Sequence, residues 1–139
     1  VAHQIIAETV HRGDPGLGHQ RQLGLQILRP SIETYKQNFT RFLILDEAVQ
    51  VPQSGVDKAS LCFTLPHKPG SLAQILTILS FYDMNLTRIQ SLPLPGREWQ
   101  YFFYADIKFA SYQRYEQALA AVRPLMEDLQ ILGEYTAAI

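Results

Sequence analysis

The sequence predicts an α+β fold, a run of strand, helix, strand, strand, helix and strand over residues 58–139 behind a shorter first part. Three observations predict it. Leu61, Phe63 and Leu65 alternate with Ser60, Cys62 and Thr64, and Trp99, Tyr101, Phe103, Ala105 and Ile107 line one face of a later stretch; period 2 marks strands. Leu72, Ile75, Leu76 and Leu79, and again Tyr112, Tyr115, Leu119, Val122 and Met126, recur at the spacing of one helical face. Residues 46–57 are polar, hold Pro52 and Gly55 and keep no period, as expected of a linker between 1–45 and 58–139.

Each element has its own signal. The Leu61 strand is expected to be half-buried, and Pro66-His67-Lys68-Pro69-Gly70 breaks it. The Leu72 helix follows, and Asp83-Met84-Asn85 ends it. Residues 86–92 read as a second strand, and Pro93-Leu94-Pro95-Gly96 as a turn. The aromatic strand comes next. A second helix opens near Ser111, and Pro124 kinks or shortens it because proline lacks an N–H and clashes within a helix. Residues 129–132, before Gly133, make a short last strand. This order is the ferredoxin-like arrangement, an antiparallel four-stranded sheet with both helices on one face. The other face needs cover, and the aromatic strand offers apolar area on both sides. An exposed apolar sheet face marks an interface, so a dimer is expected.

Residues 1–45 carry weaker signals. Ile5, Ile6, Ala7 and Val10 suggest a short helix, Gly13 to Gly18 a loop, and Leu23, Leu25 and Ile27 a strand broken by Pro30. Residues 39–45 suggest a further strand. A strand, turn and strand do not close a core of their own, so this part must pack on something.

Composition narrows the function classes. Of 139 residues, 47% are apolar and 18% charged, and 12 Lys and Arg stand against 13 Asp and Glu. That is a core-rich chain without the basic excess of a duplex-binding face. The single cysteine, Cys62, excludes an internal disulfide and any Cys-built metal site; a reducing cytoplasm suits it. No apolar run approaches the ~20 residues that span a bilayer. The first residues lack the basic flank and apolar core of a signal peptide, and a start at Val1 suggests a fragment.

Most motif candidates have plain readings. Gly13 to Gly18 lacks the Lys-Ser/Thr pair of a phosphate loop. His3, His11 and His19 are eight apart, so no helical face pairs two of them as a zinc site requires. Gly-x-Ser-x-Gly is absent, and Cys62 sits mid-strand, where nothing activates a thiol. Residues 99–104 have the aromatics of a base-stacking sheet but not the glycine-aromatic motif that accompanies it. Pro69-Gly70-Ser71 is more promising. Glycine admits close approach of a ligand, and the free N–H groups of a helix start attract a carboxylate.

With these segments in place, residues 58–135 resemble an ACT domain, in particular the regulatory domain of prephenate dehydratases. The matching segments are Leu65 through Leu72, Asn85 through Pro93, Trp99 through Ile107 and Ile131-Leu132-Gly133-Glu134-Tyr135. Upstream, Asn38-Phe39-Thr40-Arg41-Phe42 resembles the family's Thr-Arg-Phe active-site motif. The resemblance implies a partial α/β catalytic-lobe segment over 1–45 and an ACT domain over 58–139. It implies that Thr40 assists loss of water from prephenate as carbon dioxide departs, that Arg41 orients a carboxylate or braces the site, and that Phe42 packs. No cofactor or metal is implied. The implied effector is L-phenylalanine, held between subunits of a homodimer or homotetramer by His67, Gly70, Ser71 and Leu72 of one chain with Asn85, Leu86, Gln90 and Ser91. The family's Glu-Ser-Arg-Pro stands here as Gln90-Ser91-Leu92-Pro93. Much of a two-lobed catalytic domain is missing, so this chain alone is expected to be inactive. A stand-alone ACT sensing or dimerisation module is the alternative. Neither nucleic acid nor membrane is an expected partner.

Overall fold

The computed structural model describes residues 3–12, 26, 28, 34, 39–47, 53–97 and 99–138. Among them the order is β1 (His3–Arg12), β2 (Phe39–Glu47), β3 (Lys58–Thr64), α1 (Ser71–Phe81), β4 (Asn85–Pro93), β5 (Tyr101–Lys108), α2 (Tyr112–Val122), a 3-10 turn (Arg123–Leu125) and β6 (Asp128–Tyr135). β3 lies at the centre of a four-stranded antiparallel sheet of order β4-β5-β3-β6. Ala59, Leu61 and Phe63 of β3 and Ala105 and Ile107 of β5 bury against Ile75 and Leu79 of α1 and Tyr115, Ala118, Leu119 and Val122 of α2. Both helices therefore cover one face, as the βαββαβ order predicts.

Local chemistry sets the ends of α2. Ser111 is extended and its side chain accepts from the Arg114 N–H, an N-cap that satisfies one orphan donor. Pro124 falls in the 3-10 turn, just past the end of the helix. The Phe109 ring stacks on Tyr115 with centroids 4.4 Å apart. The Tyr112 and Tyr115 hydroxyls donate to the two carboxylate oxygens of Glu134 at 2.9 and 2.7 Å, pinning α2 to β6. Burial and the adjacent Glu134 carboxylate raise the Tyr112 phenol to about 12.

The first part differs from expectation. Ile5, Ile6, Ala7 and Val10 form no helix; they belong to β1, which pairs antiparallel with β2 from His3↔Glu47 to Arg12↔Phe39. The β-branched Ile5, Ile6, Thr9 and Val10 favour a pleated strand, and β2 supplies the partner that local spacing does not reveal. The Gly13 to Gly18 loop, the Leu23-Leu25-Ile27 strand and His19 lie outside the described residues. β2 continues through Asp46 and Glu47, two residues into the expected linker. Residues 53–57 are held by the C-terminal stretch: Ala137 N–H donates to Asp57 Oδ1 at 2.6 Å, and Thr136 Oγ1 to the Gly55 carbonyl at 2.6 Å.

The hairpin packs on the face of the sheet opposite the helices, with β1 against β6. All seven residues of β3 are consequently buried, not alternate ones. Ser60, Cys62 and Thr64, the other face of what was expected to be a half-buried strand, are buried too, as is Lys58, which bonds Glu8 of the hairpin. At Gly133 the approach is close enough that an added Cβ would lie 2.0 Å from the Ile5 carbonyl oxygen. No helix among the described residues is long and apolar enough to cross a membrane.

Candidate functional site

Two places in this fold collect chemistry-bearing residues, and the first is the contact between the hairpin and the sheet. In β2 the side chains of Thr40 and Phe42 alternate with Arg41. Arg41 faces the sheet. Its Nε donates to Glu8 Oε2 at 2.6 Å, its Nη1 to Asp106 Oδ2, and its Nη2 to the Tyr135 hydroxyl at 2.7 Å. Lys58 Nζ donates to both Glu8 oxygens at 2.7 and 2.9 Å, and the Ala138 N–H to Oε1 at 3.1 Å. Ser60 Oγ donates to Asp106 Oδ1 and lies 2.7 Å from the Tyr135 hydroxyl. Five strands thus meet through one polar cluster, and none of the described buried side-chain polar atoms lacks a partner.

The charges are matched, as burial requires. Burial alone would raise the Glu8 carboxyl, but bonds from Lys58, the Ala138 N–H and Arg41 outweigh it and hold Glu8 below the ordinary carboxylate range. Burial likewise works against the Arg41 charge, and Asp106 overcomes it, so the guanidinium is held more firmly protonated.

Thr40 and Phe42 take the other face of β2. Thr40 is half-buried, and its hydroxyl makes no hydrogen bond among the described residues. Phe42 and Ile44 beside it are 47% and 46% exposed. A hydroxyl flanked by exposed apolar side chains is a surface that another body can cover. The Thr40 backbone pairs with His11.

The second place is the turn between β3 and α1. Gly70 precedes the helix with φ 82, and no side chain caps the helix start. Beside it a pocket of about 120 Å³ is lined by Pro66, His67, Ser71 and Leu72 on one side and Trp99, Tyr101 and Phe103 on the other. His67 stacks on Trp99 with centroids 6.4 Å apart. An added Cβ at Gly70 would meet nothing within 4 Å, so the space in front of the helix is open. Ser71 N–H is taken by the Lys68 carbonyl at 3.2 Å; the next N–H groups of the first turn, beside an aromatic wall, suit a small carboxylate carrying an apolar group.

The structure brings His67, Ser71 and Leu72 together here, with Gly70 adjoining. It does not bring Asn85 and Leu86 to them: these begin β4, at the opposite end of α1, and an eleven-residue helix is roughly 16 Å long. Ser91 pairs with Phe103, whereas Gln90 pairs with Tyr104 and turns to the hairpin side of the sheet, where it accepts from Arg88 Nη2 at 2.6 Å. There Arg88, Gln90, Tyr104 and Asp106 share a cleft of about 240 Å³ with Ile5 and Leu43 of the hairpin. Cys62 is buried, and burial pushes its thiol up, away from reactivity.

Sequence reading missed two features. It placed the aromatics of residues 99–103 on a packed face without joining them to the Gly70 turn. It also missed the cluster of Glu8, Lys58, Ser60, Asp106 and Tyr135. Its trace in the sequence is a charge within each of three apolar strands, a signal that means little until the strands are seen to meet.

No family model matches the chain. Relatives do. A bifunctional chorismate mutase/prephenate dehydratase of Aquifex aeolicus is 31% identical over 140 residues, covering 100% of this chain and 35% of that protein. The prephenate dehydratase of Methanocaldococcus jannaschii is 32% identical over 139 residues, 96% of this chain and 51% of that one. The chain is a homologue of the prephenate dehydratases. It matches their C-terminal regulatory portion, and spans between about a third and a half of the length of these relatives. In structure, the prephenate dehydratase of Arthrobacter aurescens, solved in complex with L-Phe, superposes with a TM-score of 0.72 at 20% identity, covering 98% of this chain and 67% of that chain. That likeness extends the shared fold across both the hairpin and the ferredoxin-like sheet.

Proposed function

We propose that the chain is the C-terminal portion of a prephenate dehydratase, joining the strand of the Thr-Arg-Phe motif to an ACT domain that binds L-phenylalanine. The observation that carries this reading is the composite itself: a strand presenting Thr40 on one face is bonded through Arg41 on the other to a βαββαβ sheet with an open pocket at its first helix. In the reaction, the ring carboxylate of prephenate leaves as carbon dioxide, its bonding pair aromatises the ring, and hydroxide departs from the opposite carbon and takes up a proton. In this reading the Thr40 hydroxyl hydrogen-bonds that departing oxygen, a task for a neutral donor. With the outer face of β2 uncovered among the described residues, the chain by itself is expected to be inactive.

The effector site is built from two copies. Gly70, Ser71 and Leu72 of one protomer hold the amino acid's carboxylate at the helix start, and Asn85 and Leu86 of its partner meet the other charged group. Within one protomer these sets are a helix length apart, and a two-fold axis that sets α1 of one chain against β4 of the other brings them together twice. The alternative, a sensing or dimerisation module without catalysis, is favoured by the openness around Thr40.

Calorimetric titration with L-phenylalanine, using L-tyrosine and L-leucine as controls, tests the regulatory reading. Saturable heat with L-phenylalanine, lost in Gly70→Val, is the expected result. Absence of heat with all three, from a folded dimer, would overturn the effector assignment. Prephenate turnover by the chain alone, abolished in Thr40→Ala, would overturn the expectation of inactivity.

A further inference from the structure

We propose that Arg41 is a positioning residue that transmits amino-acid occupancy of the regulatory sheet to the strand carrying Thr40, with Asp106 as the shared contact. The inference rests on the regulatory reading above and deepens it. Its basis is the placement of Asp106. This carboxylate sits on β5, directly opposite Arg88 of β4 in the strand register, and its backbone carbonyl accepts from Thr87 Oγ1 at 3.1 Å. Thr87 and Arg88 follow Asn85 and Leu86, and Gln90 and Ser91 come next. The β4 register is irregular between Leu86 and Arg88, so this strand has a local kink next to the proposed ligand contacts. From Asp106 a single ion pair reaches Arg41, the residue adjoining Thr40.

Arg41 is suited to this in a way that another cation is not. Its guanidinium is planar and uses three nitrogens on three different elements, β1, β5 and β6; lysine offers a point charge that does not bridge them. Because the cluster is fully paired, displacing Asp106 strands a buried charge or hydroxyl unless the whole set moves. The hairpin consequently has a docked arrangement and an undocked one, with little between. A ligand that orders β4 and the neighbouring Asp106 favours the docked arrangement and fixes β2.

Hydrogen exchange on the dimeric chain, with and without L-phenylalanine, tests this. Binding is followed in parallel by calorimetry, and thermal melts establish that each variant is folded. In the unsubstituted chain, saturating ligand is expected to slow exchange of the β2 amides about five- to tenfold. Arg41→Lys is expected to abolish that slowing while L-phenylalanine affinity falls by less than the same factor. Gly133→Ala, which pushes Ile5 and with it β1 away from β6 and so draws Glu8 out of the cluster from a second direction, is expected to do likewise. Should Arg41→Lys not fold, Gly133→Ala still decides the matter. Ligand heat with no change in β2 exchange overturns the coupling and leaves the regulatory reading intact, as does a β2 response that survives in both variants. Absence of ligand heat overturns both.

Discussion

Gly133 illustrates how one position governs the junction. Its backbone is ordinary, so conformational freedom is not the reason for glycine; close approach is. A methyl group there would fall 2.0 Å from the Ile5 carbonyl oxygen and 2.6 Å from its Cβ, and a backbone atom does not yield as a side-chain tip does. Gly133→Ala is expected to cost about 1–3 kcal/mol, the range of overpacking in a close-packed site. Chemical denaturation followed by hydrogen exchange checks this, with losses expected in β1 and β2 before β3 and β5. The sequence marked Gly133 as the end of a short strand, whereas it lies within a longer β6 opposite Ser60.

At the scale of the element, the hairpin is held by charge as well as by apolar contact, and its stability depends on pH accordingly. Glu8 in the folded chain lies below its ordinary value of 4.5. A carboxyl lowered on folding contributes stability that is fully present above its unfolded pKa and is lost as pH falls through the folded one. Hairpin protection is therefore expected to hold at neutral pH and to decline as pH drops below about 4.5, with β3 and β5 less affected. Glu8→Gln is expected to flatten that decline and to weaken docking at pH 7, because Lys58 and Arg41 lose their counter-charge. Exchange rates of β1 amides between pH 3 and 7, corrected for intrinsic exchange, provide the check. A β1 that opens with the same pH profile in both proteins would exclude Glu8 as the cause. β1 also shows why local pattern misled: contiguous Ile5, Ile6 and Ala7 suit a short helix or a strand equally, and pairing with a segment more than thirty residues away settles the choice.

At the scale of the whole molecule, β4 is one of the two edge strands of the sheet and is exposed along nearly all of its length, with Ile89 and Leu92 at 40% and 46%. A free edge strand invites pairing, and the split of the proposed effector contacts between the two ends of α1 requires a second copy. Sedimentation equilibrium is expected to give a dimer or a multiple of it, tightened by L-phenylalanine because the ligand bridges protomers. A monomer whose mass is unchanged by saturating ligand would exclude the shared site. The hairpin bears on this assembly too, since it covers much of the sheet face that was expected to form the interface and leaves the β4 edge for it.

The βαββαβ order was legible in the sequence alone, because strand alternation, the two helical stripes, Ser111 and Pro124 are local signals written within a few residues of where they act. So was the resemblance carried by Thr40-Arg41-Phe42 and by Gly70-Ser71-Leu72, and the turn of Gly70 needs no more than its own φ of 82 to be understood. The tertiary structure decided what those residues face. It turned β1 into a strand and buried both sides of β3. It brought Glu8, Arg41, Lys58, Ser60, Asp106 and Tyr135 within hydrogen-bond reach across up to 94 residues of chain, and set Trp99 against His67. The physical reason is range: backbone preference and periodicity act between neighbours in sequence, whereas a buried charge is tolerated only where distant strands deliver its partners to the same few ångströms.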